Sequence, residues 1–255
     1  MIKYLPKKII RPFLLIVFWV AAIHYQPFAQ SLHAPKKLLF IGNSLTYRNG
    51  GIEKHIVALA ASAPTPKIII ANKATKGGAT LKILNELTWV HDSINSGGYD
   101  LTILQEDIPE LIELSVEPFY EFASKFNTEI KLAGSKTLLY MAWPYERLNW
   151  IDLHQITEAH QSISKKLGIP VAPVGIAFEN ALKANPSIAM LGPDKEHASI
   201  HGTYLAVCVI YATIYGESPV GYTYIPIGLS KEAAIFLQEI AWETVKNWKA
   251  NEGFH

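Results

Sequence analysis

The sequence predicts an α/β protein, a three-layer α/β/α sandwich around a central parallel sheet of about five strands. Three observations predict it. Short apolar runs recur five times along the 255-residue chain. Four of those runs lack polar alternation, as strands covered on both faces do. Longer stretches with helical periodicity separate them, as crossover helices must in a parallel sheet.

The first thirty residues stand outside that pattern. "MIKYLPKKIIRP" carries four basic residues and no acid, "FLLIVFWVAAI" (13–23) is uninterruptedly apolar, and a polar stretch ending in "PFAQS" follows. A basic head, a short apolar run and a small-residue exit near Ala29 are the order of a secretory signal peptide. Eleven residues rise about 16 Å as a helix, roughly half of a bilayer core. The expectation is therefore a cleaved signal peptide over 1–30, export to the periplasm or beyond, and no stable membrane span afterwards. An uncleaved anchor is the alternative, and no cysteine lies near the exit to carry a lipid. Residues 31–255 suit one domain.

Within that domain "KLLFIG" (37–42) is the first strand, and a helix follows near 52–63. "KIIIAN" (67–72) and "LTILQ" (101–105) are the second and third strands. The helix over 117–133 spaces Phe119, Phe122, Phe126, Ile130 and Ala133 along one face, with Pro118 near its start and Gly134 past its end. "TLLYMAW" (137–143) and "PVAPVG" (170–175) are the fourth and fifth strands. A very apolar helix near 202–215 and an amphipathic one near 230–248 close the chain. The latter sets Phe236, Leu237, Ile240, Ala241, Val245 and Trp248 on one side.

Charge excludes one class of partner. Without residues 1–30 the chain holds 19 Lys+Arg against 22 Asp+Glu, a net charge of −3, and no basic excess remains for nucleic acid or an anionic membrane. The single cysteine, Cys208, cannot form an intramolecular disulfide; within "LAVCVIYATI" it reads as a small buried hydrophobe.

In open parallel sheets, ligands bind at the carboxyl ends of the strands. Ser44 lies just past the end of the first strand, in "LLFIGNSLTYRNG". A turn serine is the ordinary reading there, and a nucleophile needs a base. "GPDKEHASIHGTYLAV" (192–207) offers one: Asp194 stands three residues before His197, close enough to bond Nδ1–H and leave the other ring nitrogen for a serine proton. A metal site from Asp194, His197 and His201 competes, but the zinc-protease helix needs glutamate directly after its first histidine, where Ala198 stands.

"IGNSLT", "GGATL" (77–81) and "DKEHASIHGTYLA" (194–206) resemble three signature blocks of the SGNH (GDSL-like) hydrolase superfamily: a Gly-Asp/Asn-Ser block, a Gly-x-Ser/Thr block and a terminal Asp-x-x-His block. They occur in the family's order, over nearly the whole chain beyond residue 30. The resemblance implies a flavodoxin-like sheet order, Ser44 as nucleophile, His197 as general base and Asp194 as its orienting acid. It implies backbone N–H donors at Ser44 and Gly78 for an oxyanion, with Gly77 as the substitute for Gly78. Two positions depart from the pattern. Asn43 replaces the common aspartate, and the third strand ends in "LQED" where an asparagine amide is usual. Gln105 is the expected replacement donor; the Asp107 carboxylate would repel an oxyanion.

Trp143 and Tyr145, beyond the fourth strand, are candidates for a substrate-facing floor, with ordinary packing as the alternative. Arg48 and Asn49 read as solvated turn residues, and His91, His154 and His160 as surface or structural groups without a matched acid. The loops around 45–51, 73–80, 106–116 and 144–153 are expected to carry specificity. The resemblance implies an exported serine esterase acting on O-acetyl groups of carbohydrate, without metal or organic cofactor. A lipid or aryl esterase and a non-catalytic glycan-binding protein are the alternatives.

Overall fold

The computed structural model describes residues 1–2, 34–107 and 115–252. Most of the expected signal peptide lies outside the described residues. Among those that are described, no helix is long and apolar enough to cross a membrane.

Five parallel strands form one sheet in the order β2-β1-β3-β4-β5. They are β1 (Lys37–Gly42), β2 (Ile70–Thr75), β3 (Leu101–Leu104), β4 (Lys136–Tyr140) and β5 (Val171–Ala172). β1 has a partner on each side and buries Leu38 to Ile41 completely, as its unbroken apolar run requires. β2 corrects the expected boundary. It starts at Ile70, opposite Lys37, rather than at Lys67. Of the three isoleucines only Ile69 is buried; Ile68 and Ile70 face solvent.

Helices cover both faces. α1 (Ser44–Tyr47) is a single turn, and α2 (Ile52–Ala61) follows it. α3 (Leu81–Leu84), α4 (Thr88–Gly97), α5 (Glu117–Leu132) and α6 (Leu153–Leu167) pack together as one layer. α2 joins α7 (Val174–Ala184), α8 (Ile200–Tyr215) and α9 (Lys231–Glu252) in the other.

α5 begins with a proline in its first turn and buries Phe119, Phe122, Phe126 and Ile130. α6 starts with a reciprocal capping box between Asp152 and Gln155 and ends on left-handed Gly168. α8 is buried nearly all round, because it lies between α2, α7 and α9. Cys208 sits in its middle, fully buried, with burial pushing the thiol far up. On α9, Leu237, Ala241, Val245 and Trp248 are buried, while Phe236 and Ile240 pack at the margin.

Candidate active site

Gly42 ends β1 where any side chain would collide. A Cβ there would stand 2.5 Å from Gln105 Oε1 and 2.8 Å from Thr46 Oγ1. This close approach lets Gln105 Oε1 accept from the Asn43 backbone N–H at 2.9 Å and from the Thr46 hydroxyl at 3.0 Å. Asn43 then caps α1, its Oδ1 accepting the Leu45 N–H at 3.0 Å, and Ser44 becomes the first residue of the helical turn.

The segment carrying Asp194 and His197 arrives from far along the chain. Ser199 caps α8 by accepting from the His201 and Gly202 N–H groups, and an antiparallel bridge between Leu191 and Ala198 pins the loop before it. Inside that loop Lys195 adopts a left-handed φ of 55°. The turn lets Asp194 Oδ1 accept the backbone N–H groups of Glu196 and His197, at 3.1 and 3.0 Å. Asp194 Oδ2 lies 2.9 Å from His197 Nδ1, and His197 Nε2 lies 2.7 Å from Ser44 Oγ. These bonds, led by the His197 backbone N–H, hold the Asp194 carboxyl well below the usual range, so it stays ionised.

A cleft of about 410 Å³ opens over the serine. Its walls are polar: Tyr47 and Arg48 beside Ser44, Gly77 and Gly78 after β2, Asp107 after β3, and Tyr145 and Arg147 after β4, with Glu196 beside His197. Among the described residues neither the Ser44 nor the Gly78 backbone N–H has an internal acceptor. Gly78 takes a φ of 61°, and a Cβ on Gly77 would meet the Tyr47 hydroxyl at 2.8 Å, so both glycines are used. Buried Glu106, a residue the motif reading passed over, braces this edge. Its Oε1 accepts from Leu81 N–H at 3.0 Å and Asp107 N–H at 2.7 Å, tying the end of β3 to α3 just beyond the glycines.

Two expected site residues stand elsewhere. Gln105 is fully buried, with Oε1 taken by Asn43 and Thr46 and Nε2 donating to the Glu106 carbonyl, so its amide braces the turn and does not line the cleft. Asp107 takes the cleft position instead, accepting from Asn43 Nδ2 at 2.6 Å and the Tyr145 hydroxyl at 3.3 Å. Trp143 is 2% exposed and stacks on Phe178 at 4.0 Å, donating its indole N–H to the Glu196 carbonyl at 2.9 Å. It props the histidine loop from beneath and offers no floor. Tyr145 does reach the cleft, and burial first, then the Asp107 charge, pushes its phenol far up and keeps it a donor.

Arg48 and Asn49 are not free turn residues. Arg48 Nη2 bonds Asp194 Oδ2 at 3.1 Å, and Asn49 Nδ2 donates to Ala198 O and Thr203 Oγ1, both at 2.8 Å. Among the described residues no three His, Cys, Asp or Glu side chains converge as a metal-ligand set. His91 does have an acid, Glu129 Oε2 at 2.8 Å from Nδ1, supplied by α5, and neither residue lines the cleft.

No family model and no curated protein matches this chain. Solved structures do. A DUF4886 family protein from Bacteroides uniformis ATCC 8492 superimposes with a TM-score of 0.67 at 16% identity, over 83% of this chain and 95% of that one. A chain from Slackia heliotrinireducens described as an SGNH hydrolase gives 0.58 at 22% identity, over 70% and 98%. The acetyl xylan esterase AlAXEase gives 0.58 at 16% identity, over 69% and 98%. At these identities the likeness establishes the fold, which is that of the SGNH hydrolases, as the sequence blocks imply.

Proposed function

We propose that this protein is a serine esterase that removes short acyl groups, O-acetyl above all, from carbohydrate. The observation that carries the reading is one continuous relay, Ser44 Oγ at 2.7 Å from His197 Nε2 and His197 Nδ1 at 2.9 Å from Asp194 Oδ2. Ser44 Oγ attacks the ester carbonyl carbon while His197 Nε2 takes the hydroxyl proton. Asp194 keeps Nδ1 protonated and stabilises the imidazolium. The oxyanion is received by the backbone N–H groups of Ser44 and Gly78. His197 then protonates the leaving alkoxide; water, deprotonated by the same nitrogen, attacks the acyl carbon, and His197 returns that proton to Ser44 Oγ as the acid leaves.

A third side-chain donor is not part of this scheme, because Gln105 is turned inward and Asp107 presents a carboxylate. The polar cleft favours a hydroxyl-rich alcohol over a lipid chain, and an acetyl xylan esterase among the similar folds supports acetylated polysaccharide. The sequence supports export through residues 1–30.

Acetate release from acetylated polysaccharides, with a chromogenic acetyl ester alongside, tests the reading. Ser44→Ala should lower turnover by roughly 10⁴-fold or more with the melting temperature unchanged, and a chelator should leave the parent's rate unaltered. Glycan binding with no turnover in either protein would make this a binding module on a hydrolase scaffold and end the proposal.

A further inference from the structure

The turn after the nucleophile reaches the acid–base loop through a residue that the esterase scheme leaves unused. We propose that Arg48 is a positioning residue for the acid–base pair: its guanidinium seats Asp194 against the imidazole and offsets the carboxylate's charge. The inference rests on the serine-esterase reading of this same site.

Its basis is one shared oxygen. Asp194 Oδ2 lies 2.9 Å from His197 Nδ1 and accepts Arg48 Nη2 at 3.1 Å, while Oδ1 holds two backbone N–H groups. Of these four donors, Arg48 alone comes from the nucleophile's segment, four residues past Ser44. The turn that presents it is fastened on both sides. Asn49 holds a left-handed φ of 51° and donates to Ala198 and Thr203, and its own carbonyl oxygen lies 2.7 Å from His55 Nε2. Arg48 and Asp194 are both partly exposed, at 49% and 40% of their side-chain surface. Such a pair adds little to folding stability, so its weight falls on charge and orientation.

Among the described residues, groups of both charges surround the imidazole. Its own loop brings Asp194 and Glu196, whose Oε1 lies 3.8 Å from Nε2. The end of β3 adds Asp107 to the same cleft, α1 adds Tyr47, and the segment after β4 adds Tyr145 and Arg147. Arg147 pairs with Glu196 at 2.6 Å as Arg48 pairs with Asp194. Among the described residues, removing Arg48 takes away one of the two guanidinium groups at this cleft, and a more negative cleft holds a proton more readily.

Arg48→Gln and Arg48→Lys in the full chain, with Ser44→Ala beside them, separate the possibilities through kcat/KM against pH on a short acetyl ester. Arg48→Gln, which can still donate a hydrogen bond, should move the acid limb upward by roughly half to one pH unit, less in high salt, with the melting temperature unchanged. Arg48→Lys should restore the parent's limb. An unmoved limb in Arg48→Gln, or an equal shift in both variants, overturns the assignment whatever happens to kcat. Turnover in Ser44→Ala close to the parent's would instead overturn the esterase reading beneath it.

Discussion

At Asn43 both ends of one amide are in use: Oδ1 accepts the Leu45 N–H at 3.0 Å and Nδ2 donates to Asp107 Oδ1 at 2.6 Å. An aspartate could repeat the first bond and not the second, and would set a carboxylate against Asp107. Asn43→Asp should therefore lower stability by about 1–3 kcal/mol and reduce kcat with it. Adding Asp107→Asn should recover much of that loss, since the pair then donates in the opposite direction. Urea unfolding of both single variants and the double variant checks this, and strictly additive losses would refute the coupling. The meeting of Ser44, Asp194 and His197 was legible in the sequence because residue type, order and spacing point to it. The contacts of Gln105, Trp143 and Arg48 were not, because they depend on where each side chain points. Gln105 turns into the space Gly42 leaves, Trp143 onto Phe178, and Arg48 across to a loop remote in sequence.

Elements were legible where one face is buried along their whole length. α5 keeps its phenylalanine stripe and ends within a residue of expectation, and β1 matches its apolar run. β2 slipped because it is an edge strand: pairing with β1 alone sets its start, and the isoleucines ahead of it gain nothing from a second neighbour. α6 carries a prediction of its own. His160 is fully buried on it, its ring 5.0 Å from Phe119 and its Nδ1 bonded to the Ile156 carbonyl at 2.8 Å. Burial lowers its pKa from 6.5 to about 4. Between those values the unfolded chain binds a proton that the folded one refuses, so stability is full above pH 6.5 and declines as pH falls toward 4. From pH 7.5 to pH 5 this group should cost about 2 kcal/mol. Urea unfolding of the parent and His160→Gln at both pH values tests it: the variant should lose less, and equal losses would show that other groups govern acid sensitivity.

The whole molecule is needed to make the site, because 153 residues separate the hydroxyl from the imidazole. The two meet because β1 occupies the sheet interior and α8 packs against α2, which brings the loop before α8 back over the end of β1. Catalytic loops often open at lower free energy than the core. Here several bonds oppose that: Asn49 to Ala198 and Thr203, Trp143 to the Glu196 carbonyl, and the Ser199 cap that joins the loop to the buried helix. Activity and fold should therefore disappear together. In a urea titration, the midpoint for acetyl-ester hydrolysis should coincide with that of the far-ultraviolet circular dichroism, as a two-state transition requires. Asn49→Ala removes both bonds of its amide and should pull the activity midpoint below the structural one. Separate midpoints in the parent protein would mean that the histidine loop opens independently of the sheet, and that the fastening contacts are too weak to govern the distance between Ser44 and His197.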